Sequence, residues 1–451
     1  MAVNIADGDW SKEINNQKYT KMKSLLRIQM KMWMVCLLLV SYTTSVMAQA
    51  ITERINENMI TVSGVVKDQK SHRKLEYVNV YVPGTNIGTV TNADGAFTLK
   101  FKDPGTKVYL QFSYLGYSSN QVEVDRLAST GNEYFLSQSS FKLNEIVVSP
   151  INARFLVEEA MDKVKQNYST VPTMNYLFYR ETVQKRNRYI TISEAVTEAF
   201  KTSYVQGTLR DKVRIAKSRS VASPDLKDTL SVKLEGGPNL ATYVDAVKNP
   251  DILLEPEYIE MYEYSFRDYE TIDDRVMYAI DFKPKPVMLD FPLYEGVIYI
   301  DRENMGISRI EFAMDMSDPD KVTKQMLRRK PASMRFRAQE LSYLVTYRYQ
   351  EGRYYLNYVR AQFRFRCDWK RRLFATNYTV VSEMVVTNRE DNPTERMTYR
   401  ESFRNSDVLS DKVLDFYDEA FWEDYNIIEP TESLEEAVGK LKKAIDKSSN
   451  R

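Results

Sequence analysis

Between Ile60 and Leu136 apolar residues recur at every second position, a spacing that fits strands and not helices. Val78, Val80 and Val82 alternate with Asn79 and Tyr81; Phe97, Leu99 and Phe101 alternate with Thr98 and Lys100; Val108, Leu110 and Phe112 alternate with Tyr109 and Gln111. Successive side chains of a strand point to opposite faces, so each set fills one face of a sheet. Pro83-Gly84, Asp94-Gly95 and Pro104-Gly105 fall between the runs, where reversing the chain needs a fixed or a positive φ. The pattern predicts about seven short strands over residues 60–136, a length that suits a sandwich better than a barrel with a bore.

Within this stretch Thr61-Val-Ser-Gly-Val-Val-Lys67, Tyr77-Val-Asn-Val-Tyr-Val82, Gly88-Thr-Val-Thr-Asn-Ala-Asp-Gly-Ala-Phe97 and Ser113-Tyr-Leu-Gly-Tyr117 resemble the carboxypeptidase-regulatory-like domain, a transthyretin-like sandwich. Such domains are common at the front of Bacteroidota envelope proteins and often precede TonB-dependent receptors. Leu143-Asn-Glu-Ile-Val-Val148 resembles the segment that closes the domain there. The resemblance implies a cell-envelope address and an accessory sandwich. It does not extend to a receptor, because no long barrel sequence follows.

Ahead of the sandwich, Lys21, Lys23, Arg27 and Lys31 precede the apolar run Met32 to Val40, and Val46-Met47-Ala48 supplies modest residues at a cleavage site. This order predicts a leader over 1–48 that carries a secretory signal peptide, with Met22 as a conventional start. A membrane span needs about 18 or more apolar residues, so none is expected in the mature chain. The expected location is periplasmic or outer-membrane-associated.

Beyond residue 150 the period changes. Val157, Ala160, Met161, Val164 and Tyr168 recur at helical spacing, and Pro172 stops that helix. Tyr176 to Val196 returns to aromatic and β-branched runs. Lys217 to Lys227, with Glu235-Gly-Gly-Pro238, reads as an extended loop, and strands are expected to resume near Met277. Gly296 to Phe312 forms a hairpin pattern turning at Glu303 and Asn304. A short helix follows, capped by Asp318, and then a meander of long strands over Tyr343–Tyr349, Tyr354–Cys367 and Asn377–Thr387. Ser433 and Glu436 fit a capping box ahead of a helix with the stripe Leu434, Ala437, Val438, Leu441 and Ile445. The fold class is therefore mainly β with an α+β C-terminal part: a transthyretin-like β-sandwich over 60–136, then a larger curved antiparallel sheet with packed helices over 150–451. With Asn175 to Tyr204, Tyr294 to Phe312 and Phe421 to Pro430, this second part resembles the poorly characterised region that follows the regulatory-like domain in many Bacteroidota envelope proteins. Gly296 to Phe312 is also similar to periplasmic lipoprotein-carrier half-barrels.

The chemistry the chain can support is narrow. A single histidine, His72, in the polar loop from Asp68 to Lys74, excludes the two-histidine zinc site of the carboxypeptidases. It also leaves Ser-His or Cys-His catalysis without a base elsewhere, and no Gly-x-Ser-x-Gly elbow or Gly-rich phosphate loop occurs. Cys36 lies in the leader, and Cys367 alternates with Phe363 and Phe365 as a buried thiol would. Asn92 and Asp94 could suggest calcium, but a hairpin turn accounts for Asp94-Gly95. Acidic doublets such as Asp273-Asp274 or Glu423-Asp424 could serve as general acid and base, but in a chain with 28% charged residues such doublets arise often in turns and on wet faces. No cofactor is implied. With 63 Lys and Arg against 62 Asp and Glu, the chain has no overall drive toward nucleic acid or toward anionic membrane, so any charge-based recognition must be local.

The densest basic feature is Arg360, Arg364 and Arg366 on one strand face, with Lys370, Arg371 and Arg372 at the next turn. It is the candidate binding face, for lipopolysaccharide phosphates or an acidic partner; the competing reading is a solvated face paired with opposite charges on neighbouring strands. An outer-membrane barrel is disfavoured by the interrupting helices and the unequal strands. The sequence points to a non-catalytic envelope protein that binds a partner or ligand. The alternatives are a lipid carrier with a half-barrel cavity and a carboxylate-based hydrolase.

Overall fold

The computed structural model describes residues 59–139, 151–225, 236–286, 289–326, 333–370, 374–411, 422 and 425–449. The expected leader over 1–48, Leu143 to Val148, Arg371, Arg372 and the doublet Glu423-Asp424 lie outside them. Seven strands build the sandwich: β1 (Met59–Asp68), β2 (Asn79–Tyr81), β3 (Gly88–Val90), β4 (Ala96–Lys102), β5 (Tyr109–Ser113), β6 (Asn120–Glu123) and β7 (Asn132–Leu136). They form two sheets, β4-β1-β7 and β3-β2-β5-β6. Every apolar residue of the three alternating sets is buried between those sheets.

The rest of the chain is one ten-stranded sheet with helices. Helices α1 (Ala153–Asp162) and α2 (Val164–Asn167) lead into β8 (Thr173–Lys185), β9 (Arg188–Lys201) and β10 (Lys212–Ala222). Helices α3 (Gly237–Tyr243) and α4 (Pro256–Ile259) precede β11 (Tyr262–Ile272), β12 (Arg275–Pro284), β13 (Tyr294–Asp301) and β14 (Ile307–Met314). After α5 (Pro319–Met326) come β15 (Met334–Gln350), β16 (Arg353–Trp369), β17 (Thr376–Asp391) and the last helix, α6 (Glu432–Ser449). The strand order is β10-β9-β8-β17-β16-β15-β14-β13-β12-β11, and every pair is antiparallel.

Two expectations about strands need correction. Lys217 to Ala222 is not loop: it pairs with Val196 to Thr191 as the second half of β10. The segment looks polar because it is an edge strand whose Arg219 and Ser220 face Glu194 and Ser193. Strands also resume earlier than Met277, at Tyr262, where a bulge between Phe266 and Asp268 breaks the period. Side chains satisfy free amides at the helix starts, and at the last helix it is Thr431 Oγ1, not the expected Ser433, that accepts from the Leu434 amide at 3.2 Å. Asn152 caps α1, its Oδ1 accepting from the Phe155 amide at 3.1 Å, and Asp318 accepts from the amides of Asp320 and Lys321.

One face of the sheet, here the inner face, carries Tyr179, Met384, Val359, Val345, Ile310, Ile298 and Ile280 in a single register row. These side chains pack with Val157, Ala160, Ala241 and Ile259 of helices α1, α3 and α4 in one core. The Asp245 carboxylate accepts from Lys201 Nζ of β9 at 2.7 Å and from Tyr347 Oη of β15 at 2.7 Å. Those strands are four places apart, about 19 Å in a flat sheet. Side chains standing perpendicular to a flat sheet could not meet at one carboxylate over that distance, so the sheet curls around the helices. Where the sequence suggested a concavity, helices fill it.

The opposite, outer face is also covered. Helix α6 lays Leu434 and Leu441 on Ile192 and Val221 of β9 and β10. Trp422 and Ile428 cover Phe178, Val196 and Val385. The sandwich covers much of the remainder, and Ile60–Arg451 packs as one unit.

Candidate functional site

The outer face carries a charge ladder that follows directly from the register. Arg219 of β10, Glu194 of β9, Arg180 of β8, Glu383 of β17 and Arg360 of β16 stand side by side in one row. Signs alternate along the row, the favourable cross-strand arrangement. Arg180 Nε donates to Glu194 Oε1 at 2.7 Å, and Arg219 Nη2 lies 2.7 Å from Glu194 Oε2. Burial pushes the Glu194 carboxyl up, but the two guanidiniums outweigh it and hold the group below the usual range. The row is roofed: Arg219 lies over the Trp422 ring at 4.7 Å, and Arg360 over Tyr77 of the sandwich at 5.5 Å.

The roof is held by directional contacts. Tyr77 stacks on Tyr358 with ring centres 5.5 Å apart, and Asn357 Nδ2 donates to Asn79 Oδ1 at 2.7 Å. Tyr81 Oη donates to Asp273, which also accepts from Gln111 Nε2 at 2.9 Å, and Ser119 N donates to Asp274 at 2.9 Å. Arg348 sits over the Tyr81 ring, and burial pushes its guanidinium down to about 10. A strap, residues 425–432, closes the other side. Asn426 accepts from Lys100 N and donates to Lys100 O, mimicking a strand against the β4 edge, while Asn92 Nδ2 donates to Glu429 O and Pro430 O. Two crevices between sandwich and sheet each have room for about one water molecule, about 10 Å³.

The six residues of the expected binding face are divided by this arrangement. Arg360 belongs to the roofed ladder, facing Glu383. Arg364 is paired with Glu340 at 2.5 Å. Arg366 stands exposed and directly opposite Arg337, with Asn377 on its other side, and neither arginine's side chain has a hydrogen bond or ion pair with another described residue. Lys370 is exposed at the end of β16, and Phe374, just ahead of β17, is 74% exposed.

The groups considered for chemistry have structural partners. Cys367 is buried, which pushes its thiol up to about 11, far from a thiolate at neutral pH. His72 is an exposed turn residue at φ 56° whose ring meets the Phe135 edge. Asn92 Oδ1 accepts from the amides of Asp94 and Ala96, so it is a turn-former. Among the described residues no three His, Cys, Asp or Glu side chains gather as a metal site.

Sequence reasoning missed the buried ionisable groups. Glu181, on β8, is 3% exposed and, among the described residues, its carboxylate accepts only from Tyr179 Oη at 3.1 Å; burial pushes its carboxyl up to about 7. Lys248 Nζ donates to both Asp211 oxygens at 2.7 and 2.8 Å, and burial, aided by nearby Lys201, lowers it to about 8. Both lie in segments whose pattern reads as ordinary strand or loop.

Residues 62–148 match the CarboxypepD_reg-like domain. A curated relative, TonB-dependent receptor P3 of Formosa agariphila, is 34% identical over 87 residues, which is 19% of this chain and 8% of the receptor. The chain thus spans less than a tenth of that relative. Among solved structures, an outer membrane lipoprotein-sorting protein domain from Vibrio parahaemolyticus aligns at 10% identity and a TM-score of 0.24, over 54% of this chain and 95% of that one. A membrane-associated protein of unknown function from Bacteroides fragilis aligns at 10% identity and a TM-score of 0.15, over 73% and 98%. Among the described residues no helix is long and apolar enough to cross a membrane.

Proposed function

We propose that the chain is a non-catalytic cell-envelope protein, exported by the leader over 1–48, that acts by binding an envelope partner or ligand at its surface. The observation that carries this reading is the commitment of the sheet's two faces. Helices pack the inner face, while the sandwich, the strap and α6 roof much of the outer one. The hydrolase alternative loses support at Asp273, whose oxygens are engaged by Tyr81 and Gln111. The carrier alternative loses support where helices occupy the concavity. The envelope address is supported by the sandwich shared with the receptor of Formosa agariphila.

Crosslinking in intact cells followed by affinity capture of the full chain, with proteins and lipids identified together, tests the proposal. Recovery of an envelope protein or lipid is the expected result. Repeated recovery of neither, or hydrolytic activity in the purified chain, would overturn it.

A further inference from the structure

The outer face breaks its own charge rule at one place. In the roofed row every cation faces an anion, and farther along Arg364 faces Glu340 and Arg335 faces Asp368. Between those two pairs Arg337 and Arg366 face each other, exposed, with Asn377 completing the row. Like charges directly opposite destabilise a sheet. Directly opposed residues have Cβ atoms about 5 Å apart, a separation at which two guanidiniums can grip one phosphate. Arg186, at the neighbouring hairpin, donates its backbone N–H to Asn377 O and adds another exposed cation, as does Lys370. Phe374, three residues before Asn377 in the chain and so at the same end of the sheet, is 74% exposed. Cations around an exposed aromatic suit the boundary between lipid headgroups and acyl chains, whereas an acidic protein alone would leave the ring in water.

We infer that this end of the sheet is a docking site for a bilayer surface bearing anionic phosphate headgroups. Arg337 and Arg366 share a phosphate and Phe374 enters the headgroup layer. The inference rests on the reading of the chain as an envelope binding protein and names the ligand class. Flotation of the purified full chain with vesicles of equal parts phosphatidylcholine and phosphatidylglycerol, against phosphatidylcholine alone, tests it. Binding to the mixed vesicles only, weakening with salt, is expected. Replacing both arginines, Arg337→Ala with Arg366→Ala, should weaken binding roughly 25-fold, roughly fivefold for each cation lost. Phe374→Ser should weaken it roughly tenfold. Lys283→Ala, which removes an exposed cation on β12, should leave it unchanged, and thermal melts confirm that each variant is folded. Equal binding to both vesicles, or full binding by the double variant, would overturn the inference. So would absence of vesicle binding combined with arginine-dependent capture of an acidic protein, a result that leaves the envelope-binding reading intact.

Discussion

The two faces of the ten-stranded sheet bury glutamates by opposite means. On the outer face Glu194 lies between Arg180 and Arg219 and stays ionised. On the inner face Glu181, on the adjacent strand, has a tyrosine hydroxyl and no cation, and its carboxyl rises to about 7. A buried charge is tolerated where the register supplies counterions, and a buried acid without them holds its proton. The outer face is built on electrostatic pairing and then roofed; the inner face is built on apolar packing, pairs its buried Asp245 with Lys201, and at Glu181, where no cation is supplied, keeps the acid neutral.

The largest effect is expected from breaking the outer pairing. Glu194→Ala leaves two buried guanidiniums facing each other and should cost about 3–5 kcal/mol in urea unfolding. The inner glutamate should behave in the reverse sense. Its folded pKa is raised from 4.5 to about 7, so its contribution is greatest below about 4.5, falls as pH rises to about 7, and is flat above. Glu181→Gln should therefore stabilise the protein by about 3 kcal/mol above pH 7 and hardly at all below pH 4.5, read from melts across that range. Asn426→Ala tests the roof. Loss of both bonds to Lys100 should cost about 1–2 kcal/mol and speed proteolysis of the β4 edge. The smallest change sharpens the contrast between roofed and bare ends: Arg337→Glu restores sign alternation opposite Arg366 and should add about 0.2–1 kcal/mol of stability.

Most strands were legible because one set of alternate residues is apolar, as in β4 and β16. The segment Lys217 to Ala222 was not, because an edge strand paired through Arg219 and Ser220 has the composition of a loop. The sandwich was legible as a sandwich, but the alternation of Asn79 and Tyr81 with the buried valines carries no sign that they form its docking face. The candidate site was half legible. Arg366 and Lys370 stood out in the sequence, whereas the distinction between Arg360, roofed, and Arg366, bare, depends on segments distant in the chain. Arg337 drew no notice because only the β15–β16 register sets it opposite Arg366.

The strap sets an order on folding. Asn92 and Glu429 are 337 residues apart, and Lys100 and Asn426 are 326 apart, so these contacts close very long loops. A sandwich made first during synthesis must wait with its docking face bare until Asp273 and Asn357 are made, and with its β4 edge open until the strap follows. That face presents Tyr81, Asn79 and Gln111, whose hydroxyl and amide groups water can satisfy. The same polar atoms that later fasten the sandwich to the sheet thus keep it from aggregating while it waits.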